Sequence, residues 1–361
     1  MSMPYLAPNP DVTWPWPFSL GDLTAGLRRS LSDLSLRVSD VKAIPISRRR
    51  PSVGVIRGLS VTYHGHSGEG SCTLVVKEPQ GTTRTGLAGA GRREVGVYQF
   101  LAGQLPLVLP TLIAASPSGD WLLLEAVPPS HDASLWEPKE YLRAIDGLAQ
   151  LHDRFWGLGE DLNAFTWLSR PIRADFEIHV TAGLNAVEKI KFSREPSFIA
   201  RVTSRMKLLE RLTQNPDKVA APLRREASTL LHGDYWPGNI SVMRDGSQIV
   251  YDWQLAASGP AILDLLVFVK KSIWWFGSLS IPEDELIHYY RECIRSKIGV
   301  SWEDEKWEEL WDHALMWRFL QEWLDLIEAS PEPVLEARAR LLEEVWLDPV
   351  MYAIERRLGD T

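Results

Sequence analysis

His232-Gly233-Asp234-Tyr235-Trp236-Pro237-Gly238-Asn239 runs without a break into Ile240-Ser241-Val242-Met243-Arg244-Asp245-Gly246-Ser247-Gln248-Ile249-Val250-Tyr251-Asp252. Apolar residues flank Asp245-Gly246, a dipeptide that favours the positive φ angles of a tight hairpin turn. If those two residues form the whole turn, Arg244 pairs with Ser247, and counting outward sets Asn239 opposite Asp252. Directly opposed residues have Cβ atoms roughly 4.5–5.5 Å apart, close enough for two oxygen-bearing side chains to ligate one hard cation. A longer turn shifts this register.

Either side of the hairpin the periodicity is helical, which makes it an exception in its part of the chain. From 139 to 155, Leu142, Ile145, Leu148, Leu151 and Phe155 mark one helix face. Before that region the pattern differs. Residues 38–46, 53–63 and 73–77 are rich in β-branched side chains and separated by breakers, and strand character returns at 107–114 and 121–127. One helix interrupts them at 92–101, where Val95, Tyr98 and Leu101 recur after the Gly-rich stretch 86–91. Pro128-Pro129 ends the last of these strands. The pattern predicts an α+β chain: a β-rich N-terminal lobe with one main helix over 1–127, and a mostly helical C-terminal lobe over 128–361 that carries the hairpin.

With 361 residues and 45% apolar composition the chain can bury a full core. Acidic residues outnumber basic ones by 47 to 39, a formal charge of −8, so no general positive field exists to hold nucleic acid or anionic lipid. No apolar run is long enough to span a bilayer, and the first 17 residues lack a basic stretch before an apolar one. A soluble cytoplasmic enzyme with no membrane and no nucleic-acid partner is expected. Cys72 and Cys293 stand far apart, so neither a disulfide framework nor a thiolate zinc site is indicated.

Asp234, Asn239 and Asp252 keep the order of a catalytic-loop base, an amide metal ligand and a metal-binding carboxylate in phosphoryl-transfer enzymes. Such chemistry needs alignment and electrostatic stabilisation, and carboxylate and amide oxygens suit Mg2+. Asp234 would take the proton of the attacking hydroxyl. In the first lobe, Val75-Val76-Lys77 ends a strand and Arg92-Arg93-Glu94 opens a helix, the placement of a phosphate-binding lysine and the glutamate that steadies it.

At these residues the chain resembles the aminoglycoside phosphotransferase and choline kinase-like superfamily of small-molecule kinases. His232-Gly233-Asp234 with Asn239 anchors the resemblance. Lys77, Arg93-Glu94-Val95 with Tyr98, Leu148-Ala149 with Leu151-His152 and Trp156, and Tyr251-Asp252-Trp253 followed by Asp264-Leu265 support it in the same order. The resemblance implies a bilobal protein-kinase-like fold, ATP and Mg2+ as co-substrate and cofactor, and a small-molecule hydroxyl acceptor. It makes Asp234 the base and Asn239 and Asp252 the metal ligands. Lys77 and Glu94 then serve the nucleotide, Glu125 and Val127 border a hinge whose backbone meets adenine, and Asp264 supports the catalytic loop. Ser52 belongs to the stretch 47–54, the expected phosphate-covering loop, although three consecutive arginines there equally fit a solvated tip.

Departures from protein kinases favour a small acceptor. Gly233 and Trp236 stand where those enzymes have the Arg before the Asp and the Lys two residues after it. Only twelve positions separate Asp252 from Asp264, too few for an activation loop. A protein kinase, or a nucleotide-binding pseudokinase or interaction module without transfer activity, stays as the alternative. His232 is expected to orient the loop and His152 to pack. Sixteen tryptophans, many beside acidic residues in the C-terminal half, would suit an aminoglycoside, aminosugar or amino alcohol through cation–π contact; the four-residue steps Trp307, Trp311, Leu315 equally describe a packing face.

Overall fold

Ser19 begins the first element. Its hydroxyl accepts from the Asp22 amide while the Asp22 carboxylate accepts from the Ser19 amide, a reciprocal cap that starts helix α1, Leu20–Ser30. The computed structural model describes residues 14–46, 54–79, 87–128, 132–243 and 245–359. Ser52 and the rest of the expected phosphate-covering loop before Gly54 lie outside the described residues.

The described chain forms two compact units. The first comprises residues 1–79 and 111–126, the second 80–110 and 127–361. The described stretch 87–110, with its helix, therefore packs as part of the mainly helical unit.

In the first unit, strands β1 (Arg37–Ile44), β2 (Val55–Gly65), β3 (Gly68–Glu78), β4 (Leu112–Ala115) and β5 (Leu122–Glu125) form one antiparallel sheet in the order β1-β2-β3-β5-β4. Leu59, Val61, Leu74, Val76, Ile113 and Leu123 pack with Leu23 and Leu27 of α1 and with Trp16 and Phe18 into a core. The alternation of Leu59 with Val61, and of Leu74 with Val76, sends those side chains to one face of the sheet. The expected strand at 107–114 divides at Pro110, which has no N–H for a ladder. Leu112–Ala115 joins β5, whereas Val108 bridges Ile249 within the second unit.

In the second unit, helix α2 (Ala90–Gly96) continues as a wider π turn through Val97–Leu101. Helix α3 (Pro138–Arg154) starts on Pro138, with a cap between Glu137 and Glu140, and buries Ile145, Leu148 and Leu151 on the face its periodicity predicts. Two short ladders then frame the loops of interest. Strand β6 (Ser228–Leu231) pairs antiparallel with β9 (Ala257–Pro260), and β7 (Ile240–Val242) pairs antiparallel with β8 (Gln248–Val250). The segment 232–239 links β6 to β7, and 251–256 links β8 to β9. Two ladders thus hold both loops side by side. The buried helix Ile262–Phe276 follows. Among the described residues no helix is long and apolar enough to cross a membrane.

Candidate active site

The hairpin differs from expectation by one residue. Val242 pairs with Gln248 and Ile240 with Val250, the Met243 amide donates to the Ser247 carbonyl, and the Gly246 amide donates to the Met243 carbonyl, each at 2.8 Å. Gly246 has φ +83°, so it adds a bulge residue after the turn. Asn239 is consequently opposite Tyr251, whose amide donates to the Asn239 carbonyl at 3.1 Å, and Asp252 stands one position further on. The left-handed φ of +71° at Asp252 is uncommon for a residue with a side chain and marks a turn the surroundings impose.

Asp234 and Asn239 meet directly. The Asn239 amide nitrogen donates to the Asp234 carboxylate Oδ2 and to the Asp234 backbone carbonyl, both at 2.9 Å. Because its nitrogen serves Asp234 twice, the Asn239 amide oxygen is the atom left to face a cation. Asp234 is buried within the second unit, and its Oδ1 is paired with the Lys271 ammonium.

His232 joins the two loops. Its Nδ1 accepts from the Asp234 amide at 3.2 Å, so Nε2 carries the proton and donates to the Tyr251 carbonyl at 3.1 Å. Burial lowers its pKa, partly offset by the carboxylates of Asp264, Asp234 and Asp252 around it. A neutral imidazole with both nitrogens engaged holds the loops together, the orienting part expected of it. Asp264 supports the same loop from the helix Ile262–Phe276. Fully buried, its carboxylate accepts from the His232 amide at 2.7 Å and the Gly233 amide at 2.8 Å. His152 is buried too, with Nδ1 2.7 Å from the Tyr290 hydroxyl and Nε2 3.5 Å from Asp264.

Gly233 has φ +80°, and a Cβ placed on it would lie 1.9 Å from the Leu255 carbonyl oxygen. The backbone of 253–255 passes too close for any side chain, which explains why this position cannot carry an arginine. Arginines arrive from elsewhere instead. Arg318 donates to the Gly233 carbonyl at 3.1 Å, and Arg93 of α2 donates to the Gln254 carbonyl at 2.8 Å.

The remaining expected residues are distributed between the units. Lys77 lies on β3, opposite Ile56 and Leu122, and Glu125 ends β5 with its amide on the Thr111 carbonyl and its carboxylate on the Thr111 hydroxyl. Both belong to the first unit, and Val127 begins a segment of the second. Glu94 is fully buried in α2 of the second unit. Lys271 was absent from the sequence reading. The available signal was its step of seven from Asp264, which sets both on one helix face.

Trp274, Trp307, Trp317, Trp323 and Trp346 are core residues, while Trp275, Trp302 and Trp311 are half-buried. The guanidinium of Arg338 lies 3.9 Å from the Trp274 ring centroid and that of Arg291 5.2 Å from Trp307, so the chain's own cations occupy those faces.

Fold and site together define an ATP-dependent small-molecule kinase, with the α+β, bilobal, protein-kinase-like architecture. The chain belongs to the phosphotransferase enzyme family, whose model matches residues 55–310. Among solved structures it is similar to the Plasmodium vivax ethanolamine kinase, at 13% identity and a TM-score of 0.56 over 91% of this chain and 88% of that one. Two further similar structures are a spectinomycin phosphotransferase complexed with ADP and spectinomycin and the macrolide 2′-phosphotransferase of Brachybacterium faecium. The first has 12% identity and a TM-score of 0.49 over 96% of this chain and 100% of the other. The second has 16% identity and a TM-score of 0.45 over 86% and 99%. No curated protein matches the sequence.

Proposed function

We propose that the protein moves the γ-phosphate of ATP to a hydroxyl of a small molecule, with Asp234 as the base. The observation that carries this reading is the orientation of Asp234 by Asn239, five residues on, through two hydrogen bonds of 2.9 Å. The acceptor hydroxyl gives its proton to Asp234 as its oxygen forms a bond to the γ-phosphorus. The bond from that phosphorus to the β–γ bridging oxygen breaks, and ADP leaves with the electron pair.

Asn239 and Asp252 would hold Mg2+, which when bound neutralises phosphate charge. The donor set fits. Asn239 keeps its amide oxygen for the ion while its nitrogen is engaged by Asp234, and Mg2+ sites commonly combine one or two protein oxygens with phosphate. For the nucleotide, Lys77 on β3 is assigned to the α- and β-phosphates, with Glu94, Glu125 and Val127 as the further candidates. The acceptor is defined by its hydroxyl. An aminoglycoside, aminosugar or amino alcohol is the first class to screen, against neutral alcohols, with product identification by mass.

Asp234→Asn preserves size and one carbonyl oxygen but removes the base. Transfer is expected to vanish while ATP binding, measured by calorimetry, stays within twofold. Substantial turnover by the purified variant would remove Asp234 from the role.

A further inference from the structure

Protein kinases place a lysine two residues after the base, and here that position is Trp236. Trp236 is buried against Trp275 and Phe276, with ring centroids 5.9 and 6.0 Å away. An indole supplies no positive charge. A cation nevertheless stands over its ring: the Lys271 ammonium, 5.1 Å from the centroid, which also pairs with Asp234 Oδ1. Lys271 comes from the helix Ile262–Phe276, 37 residues after the base.

Resting on the reading of Asp234 as base, we propose that Lys271 is the positioning residue of this active site and takes the part that a catalytic-loop lysine plays elsewhere. A carboxylate rotates about a broad, two-fold terminal torsion, and a single donor leaves that rotation loose. Asp234 has a donor at each oxygen, Lys271 at Oδ1 and Asn239 at Oδ2. Together they set the plane in which a lone pair meets the incoming hydroxyl, the kind of alignment in-line attack requires. The same helix face carries Asp264, which holds the loop backbone through the amides of His232 and Gly233. One rigid helix therefore fixes both the main chain and the carboxylate of the base. Trp236 holds the ammonium through its π face and excludes water from one side of the pair. The adjacent Lys270 pairs with Glu283 at 2.8 Å and serves as an internal comparison.

The test uses the full chain and Mg–ATP with water as acceptor, read as phosphate release, and repeats it with the acceptor that a phosphorylation screen identifies. Lys271→Met is expected to lower kcat on the order of 10²-fold, the cost of a misplaced catalytic group, with KM for ATP within about twofold. Lys271→Arg should recover part of the rate. Lys271→Cys, in a background with Cys72 and Cys293 replaced by Ser, should be poor until 2-bromoethylamine restores an ammonium at that point. Lys270→Met should keep kcat. If Lys271→Met retains kcat within twofold while Asp234→Asn is inactive, the positioning role is wrong and the base stands. If Asp234→Asn turns over like the parent chain, the base reading fails and this role with it. A rate loss matched by a fall in thermal midpoint, and not recovered on aminoethylation, would make Lys271 structural and overturn the proposal.

Discussion

Replacing Asp264 by Ala removes the acceptor of two fully buried main-chain amides, those of His232 and Gly233, at 2.7 and 2.8 Å. Hydrogen bonds to a charged group contribute about 1.5–3 kcal/mol each, so the pair is worth about 3–6 kcal/mol. Removing a buried charge also relieves its desolvation cost, which opposes this loss. Two buried N–H groups left without their acceptor decide the balance towards destabilisation. Asp264→Asn separates these contributions. The isosteric amide keeps one oxygen for one N–H and turns an NH2 against the other, so it should lose about half as much, roughly 1.5–3 kcal/mol. Urea denaturation followed by fluorescence suits the measurement, because Trp253 packs on His232 with ring centroids 4.4 Å apart. For an m-value near 3 kcal/mol/M, the midpoint should fall by about 1–2 M for Ala and by about half that for Asn. Both variants remaining within about 1 kcal/mol of the parent would refute the reasoning, since that is the value of a single ordinary hydrogen bond.

Other outcomes follow from the same geometry. Gly233→Ala forces a side chain into a left-handed position, at about 1–2 kcal/mol, besides the overlap with Leu255, so the thermal midpoint should drop by at least about 2 °C and transfer should fall with it. An unchanged midpoint in calorimetry would contradict the close approach of the two loops. Burial lowers the His179 pKa from 6.5 to about 4, and burial also lowers those of His232 and His313. In this window the unfolded chain binds the proton and the folded chain does not, so stability is lost as pH falls from about 6.5 towards 4, by about 3 kcal/mol for His179 alone. Urea midpoints at pH 7 and 5 measure this loss, and His179→Phe should make the dependence shallower; an unchanged slope in that variant would exclude His179 as a source.

Local patterns carried a large part of the fold. Helix α3 follows from Ile145, Leu148 and Leu151 with Pro138 at its start, and β2 and β3 follow from alternating branched residues, because each is set by interactions within a few positions. Helix α1 is equally legible, because Ser19 and Asp22 form a recognisable cap and Leu20, Leu23 and Leu27 recur at helical spacing after it. In the site, the five-residue step from Asp234 to Asn239 is short enough for the chain itself to bring the two together. The class of chemistry was therefore legible from residue types and spacing.

Tertiary structure decided what spacing could not. The hairpin register turns on Gly246 adding a bulge, a difference of one residue that shifts the partner of Asn239 from Asp252 to Tyr251. The requirement for glycine at 233 comes from the Leu255 carbonyl, which sequence distance does not reveal. Lys271 reaches Asp234 from a helix whose Asp264, seven residues earlier, is fastened to the loop 232–239. The sequence by itself determined which groups can accept a proton or face a cation, since that is a property of side chains and their local spacing. Which cation meets the Asp234 carboxylate, and at which oxygen, was decided by the packing of a distant helix, because that contact joins segments far apart in the chain.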